Sequence, residues 1–198
     1  RAITSLGDFD GDGVADLAVG ATWDDTGGDM RGAVYVMFMN RDGTAKSYEK
    51  IASDTGGGPT LSDNDLFGSS VASLGDLNGD GVTDIAVGAN WDDTGGNSRG
   101  AAYLMFMNAD GTVQSYRKIA SDTGGGPTLE DSDYFGSSIT SLGDLNGGGK
   151  IDLVVGASQD DTGEYQCGAV FVLFLDEMPP NDPPTVALDN TTSALAED

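Results

Sequence analysis

Short apolar runs alternate with glycine- and aspartate-rich loops along most of this chain. The stretch from Val71 to Ala120 shows the order clearly. Val71–Leu74 is a short apolar segment, and Asp76–Asp84 is a Gly/Asp loop. Asp84–Gly88 predicts a second strand, and Asn90–Arg99 a polar loop. Gly100–Asn108 predicts a third strand, Ala109-Asp110-Gly111 a hairpin turn and Thr112–Ala120 a fourth strand. No segment sustains a helical period for the roughly 10–12 residues a helix needs.

The pattern recurs at a spacing of 68 residues. Ser5-Leu6-Gly7-Asp8 returns as Ser73-Leu74-Gly75-Asp76 and again as Ser141-Leu142-Gly143-Asp144. Ala18-Val19-Gly20-Ala21 returns as Ala86-Val87-Gly88-Ala89, then with one change as Val154-Val155-Gly156-Ala157. Lys50–Leu61 reappears almost unchanged as Lys118–Leu129. A fixed period marks a repeat architecture. Four antiparallel strands per unit predict an all-β fold of β-propeller blades. A parallel β-helix needs shorter, more uniform coils, and a β-sandwich has no reason to repeat its own sequence.

Composition narrows the chemistry. The 198 residues include 31 glycines and no histidine, and 33 acidic residues against 9 basic ones leave a net charge of −24. Such a charge repels nucleic acid and anionic membrane surfaces, so neither is an expected partner. Lack of histidine removes the commonest general base and transition-metal ligand. No apolar stretch approaches the roughly 18 residues of a membrane span. Cys167, beside Gly168 before an apolar run, reads as a small strand-edge residue, not a reactive thiol.

The most specific chemistry lies between the first and second strands of each unit. The first loop offers Asp8, Asp10, Asp12 and Asp16, with the carbonyl of Val14. The second offers Asp76, Asn78, Asp80 and Asp84, with the carbonyl of Val82. Oxygens at positions one, three, five, seven and nine can converge on one Ca²⁺, and glycine at position six permits the turn. An EF-hand requires a bidentate glutamate at position twelve and flanking helices. Val19 and Val87 stand there instead, inside apolar strands. Dockerin-type loops fail for lack of a following helix. The alternative, a solvated turn without metal, leaves three or four carboxylates repelling one another. The third loop is degraded. It keeps Asp144, Asn146 and Asp152, but Gly148 replaces the position-five ligand and Lys150 stands at position seven.

At these residues the chain resembles the FG-GAP repeat family, best known from integrin α-subunit propellers. Phe67-Gly68 and Phe135-Gly136 match the Phe-Gly pair. Gly20-Ala21, Gly88-Ala89 and Gly156-Ala157 match the Gly-Ala of Gly-Ala-Pro, with Thr22, Asn90 and Ser158 in place of the proline. The resemblance covers about Arg1–Leu175, in units 1–66, 67–134 and 135–175. It implies a seven-bladed propeller, calcium in the loops and a non-catalytic role in adhesion or protein recognition. It also implies a secreted or cell-surface setting, of the kind found in bacterial surface proteins. Three blades do not close a ring, since propellers use about four to eight, so the rest of a larger propeller is an expected partner. The third unit lacks a counterpart of Thr112–Ala120, which predicts the carboxy-terminal end of that larger ring. Residues 176–184 read as a proline-rich linker, and 185–198 as the start of a cadherin-like or immunoglobulin-like module.

Two further features compete for a functional reading. Asp-Thr-Gly at Asp25, Asp54, Asp93, Asp122 and Asp161 resembles the aspartic-protease triplet, but its recurrence in polar loops is explained by turn chemistry. Trp23 and Trp91, with Asp24 and Asp92, lie in loops between strands two and three. They read either as an apolar lid on the blade or as a ligand face for a protein or glycan. Strand reversal puts that face opposite the calcium loops. The expected function is a calcium-stabilised interaction module; a carbohydrate-binding propeller and an accessory propeller of a larger enzyme are the alternatives.

Overall fold

The computed structural model describes residues 2–161 and 166–175. The expected linker and the module opening after it lie outside the described residues. Among the described residues, eleven strands form three sheets. The first holds β1 (Ile3–Gly7), β2 (Asp16–Ala21), β3 (Ala33–Met39) and β4 (Ala45–Ala52). The second holds β5 (Phe67–Gly75), β6 (Asp84–Ala89), β7 (Ala101–Met107) and β8 (Val113–Ala120). The third holds β9 (Phe135–Gly143), β10 (Asp152–Ala157) and β11 (Ala169–Leu173). Each sheet is an antiparallel meander in chain order, the arrangement of a propeller blade.

The predicted strands of the second unit match closely, apart from the first. β5 begins at Phe67, four residues before the predicted Val71. Phe67 pairs with Ala89, the register shifts before Val71, and Phe67 also bridges Gly32 of the preceding blade in parallel. The Phe-Gly pair is therefore part of the strand and part of the blade junction.

The blades stack so that the second lies between the other two. Every residue of β6 and β7 is buried. Along β7, Tyr103, Met105 and Met107 pack with Val34, Val36 and Phe38 of the first blade. Ala102, Leu104 and Phe106 pack with Leu153 and Val155 of the third. Both faces of one strand thus enter a core, which is why the run Ala101–Met107 is apolar without alternation. β2 and β3 instead alternate between buried and half-buried positions for most of their length. Ile3 and Val170, on the outer blades, are 67% and 65% exposed.

Glycines bring the blades into contact. A Cβ on Gly20 would lie 2.0 Å from the carbonyl oxygen of Gly68, and one on Gly88 would lie 2.1 Å from that of Gly136. Gly68 and Gly136 also have φ of +89° and +87°, in the left-handed region. The Gly-Ala glycine of one blade and the Phe-Gly glycine of the next are therefore one interlocking pair. Ser70 Oγ adds a 2.7 Å hydrogen bond to the Gly136 carbonyl at the second junction.

Candidate metal centre

The loop Asp8–Asp16 is shaped by its own side chains. Asp8 accepts the Gly13 N–H at 3.0 Å, drawing position six back over position one. Asp10 accepts from Asp12 N–H, and Asp12 from Val14 N–H, as successive Asx turns. The second and third loops repeat the first of these bonds, with Asp76 accepting from Gly81 at 2.8 Å and Asp144 from Gly149 at 2.9 Å.

Position nine is a strut. Asp16 Oδ1 accepts the Met39 N–H at 2.9 Å, and its Oδ2 accepts the Phe9 N–H at 3.0 Å. Asp84 does the same for Met107 and Leu77, and Asp152 for Leu175 and Leu145. All three carboxylates are buried. Each ties its loop to the end of the third strand before any metal is considered. Burial pushes the Asp84 carboxyl up to about 6, against the N–H bonds that favour its charge.

In the first loop Asp8, Asp10 and Asp16 bring carboxylate oxygens within 4.8 Å of one another. A lysine links Asp10 of this group to Asp12. Lys46 Nζ lies 2.5 Å from Asp10 Oδ2 and 2.8 Å from Asp12 Oδ2. In the second loop Asn78 Nδ2 donates to Asp80 Oδ2 at 2.9 Å. In the third, Asn146 Oδ1 accepts from Gly148 N–H, and the Lys150 ammonium leaves its own loop to donate to the Leu77 carbonyl of the second at 3.0 Å. An all-oxygen donor set in an exposed turn fits a hard divalent cation better than a transition metal.

The opposite face is built on different pairs. Arg31, in the loop after β2, donates to Asp63 in the connection to the next blade at 2.8 Å, and Arg99 to Asp131 at 2.9 Å. Loops two-to-three and the connections therefore share a face, while Lys46 of β4 joins the loop between β1 and β2 on the other. Trp23 is 76% exposed beside a cleft of about 540 Å³ lined by Ala21, Thr22, Trp23 and Asp24. Trp91 is 43% exposed and stacks on Tyr134 of the following connection, with ring centroids 6.0 Å apart. At 76% exposed, Trp23 is not a lid over the blade core.

Their aspartate neighbours turn inward. Asp92 is buried, 2.6 Å from Lys118 Nζ and 3.0 Å from Tyr103 Oη. Asp24 meets Lys50 at 2.7 Å and Tyr35 at 2.9 Å, and Lys50 also bonds Thr26. Burial opposes ionisation of Asp24, but the bonds from Lys50, Thr26 and Tyr35 outweigh it and hold the carboxyl at about 2. These aspartates anchor the fourth strand to the loop. The Asp-Thr-Gly triplets serve turns as expected: Asp25 accepts from Met30 N–H and Asp93 from Ser98 N–H.

Sequence reasoning missed Lys46 as a partner of the first loop. The signal was present, because the two hairpins match at Gly-Thr and Ser-Tyr while Lys46 is replaced by Gln114.

Comparison with known proteins finds the same repeats. Residues 2–37 and 67–105 match the FG-GAP repeat model. Human integrin alpha-11 is 39% identical over 163 residues, which is 78% of this chain and 12% of that protein. Integrin alpha-3 of Cricetulus griseus is 36% identical over 79% of this chain and 14% of its own length. Integrin alpha-5 of Xenopus laevis is 36% identical over 80% of this chain, and the match again spans 14% of the relative. Three stacked antiparallel sheets, glycine pairs locking their junctions and the repeat match together show that this chain carries FG-GAP repeats, built as β-propeller blades and similar in sequence to integrin α-subunits.

Proposed function

We propose that this chain is a calcium-stabilised, non-catalytic propeller module for adhesion-type protein recognition, in an extracellular or cell-surface protein. The observation that carries the metal is the first loop, where three carboxylates converge within 4.8 Å on a turn built from their own N–H bonds. Asp8, Asp10, Asp12, Asp16 and the Val14 carbonyl would hold the first ion. Asp76, Asn78, Asp80, Asp84 and the Val82 carbonyl would hold the second. The third loop keeps Asp144, Asn146, Asp152 and the Lys150 carbonyl, and binds more weakly for want of a position-five oxygen. Bound calcium neutralises repulsion within each loop and stiffens the hairpin. The recognition role rests on the integrin relatives, of whose length the chain spans about an eighth to a seventh. A larger ring, seven-bladed by family resemblance, would cover the exposed outer faces.

The test is thermal. Chelation should lower the melting temperature, and calcium at about 10⁻⁴–10⁻³ M should restore it, since a ligand of the folded state stabilises by mass action. A melting temperature indifferent to both would remove calcium from this reading. The exposed Trp23 and the Trp91–Tyr134 stack favour a second reading, a glycan ligand on the face opposite the metals.

A further inference from the structure

The two complete loops differ in one respect that their own residues do not reveal. The hairpin between β3 and β4 overhangs the first loop and carries Lys46, whose ammonium sits between Asp10 and Asp12. Arg41, at the tip of the same hairpin, adds a second positive charge that acts on Asp12. The hairpin between β7 and β8 has Ala109 and Gln114 at the matching positions, so neither charge is present over the second loop. The cation that does approach the second loop, Lys150, is bonded to the Leu77 carbonyl and not to a carboxylate.

We propose that Lys46 is a tethered cation that competes with calcium for the first loop, so that the second loop fills at lower calcium than the first. The proposal rests on the calcium reading above and adds an order of filling to it. A divalent ion entering the first loop must displace the ammonium from Asp10 and Asp12, two of its four side-chain ligands. At the second loop Asp80 has only the neutral Asn78 amide to give up. In this view the lysine also serves the calcium-free state, by relieving repulsion among Asp8, Asp10 and Asp12 that calcium otherwise relieves.

The loops can be followed separately, because Gly13 N–H and Gly81 N–H are each bonded to a position-one aspartate. Their amide resonances, tracked by NMR during a calcium titration, report one loop each. In the unmodified chain Gly13 should titrate at about three- to tenfold higher calcium than Gly81, the effect of exchanging exposed ion pairs. Lys46→Gln should close that gap by tightening the first loop. Gln114→Lys should weaken the second loop by a similar factor. Lys46 is exposed at the start of β4, so its replacement leaves the core intact. If both glycines titrate together in the unmodified chain, or Lys46→Gln leaves the gap unchanged, the competition is overturned while calcium binding stands. If neither resonance responds to calcium in any variant, the calcium reading falls and the proposal with it.

Discussion

Asp65 is 4% exposed in the connection between β4 and β5, where its carboxylate accepts the Ser62 N–H at 2.7 Å. Burial pushes its carboxyl up to about 6, helped by nearby Asp92 and Asp93 and opposed by Ser62 N–H and Lys118. The unfolded chain titrates this group near the ordinary 3.8. Between these values the native state keeps a proton that the unfolded chain has lost. Stability from Asp65 is therefore greatest below about 4 and declines as pH rises through about 6. Asp65→Asn keeps an acceptor for Ser62 and removes the titration. Melting curves in metal-free buffer from pH 4.5 to 7 should show the unmodified chain losing stability relative to this variant as pH rises. Parallel curves would show that Asp65 titrates normally. Asp24 has the opposite sign. Its carboxyl is held at about 2, so the stability it lends is present above about 4 and is lost as acid carries the pH down through 2.

Strands and their junctions depend on close backbone approach more than on side-chain volume. Gly88 in β6 faces the Gly136 carbonyl oxygen, a backbone atom with no freedom to withdraw. Gly156, its counterpart in β10, would meet only side-chain atoms, the nearest being Ser138 Oγ at 2.4 Å, which a rotamer change can move. Gly88→Ala should therefore cost about 2–3 kcal/mol, as a forced overpacking that separates two blades. Gly156→Ala should cost less than about 1 kcal/mol. Urea denaturation of both variants measures the difference, and equal costs would show that the junction glycine is not interlocked. Phe67 and Phe135, each fully buried beside such a glycine, contribute about 1.5–3 kcal/mol apiece to the same junctions.

At the scale of the molecule, the meander separates two faces. The candidate metal loops and the β3–β4 and β7–β8 hairpins occupy one, while both tryptophans and the Arg–Asp pairs of the connections occupy the other. A ligand held near Trp23 and Trp91 would not touch the metal loops. Trp23→Ala combined with Trp91→Ala should abolish capture of a protein or glycan ligand found by array screening. The calcium-dependent shift in melting temperature should stay within about 2 °C of its original size, as for surface substitutions generally. Ligand capture that survives the double substitution would move the recognition surface elsewhere. Asp92 is a poor choice for that experiment, because its removal strands Lys118 and Tyr103 inside the blade.

Much of the fold was legible from local signals. Strand positions follow from apolar runs bounded by Gly/Asp turns, and the 68-residue repeat made each unit a check on the next. The convergence of Asp8, Asp10 and Asp16 was legible too, since they lie within nine residues and Asx turns form locally. Other features depend on how distant segments meet. Lys46 reaches Asp10 across 36 residues, and Asp16 reaches the Met39 N–H across 23. The inward turn of Asp24 and Asp92 follows from a lysine on the fourth strand that the chain places 26 residues later. Glycine in Phe-Gly and Gly-Ala reads along the chain as two separate turn residues. Blade stacking makes them one contact, because two backbones can approach this closely only where neither carries a Cβ.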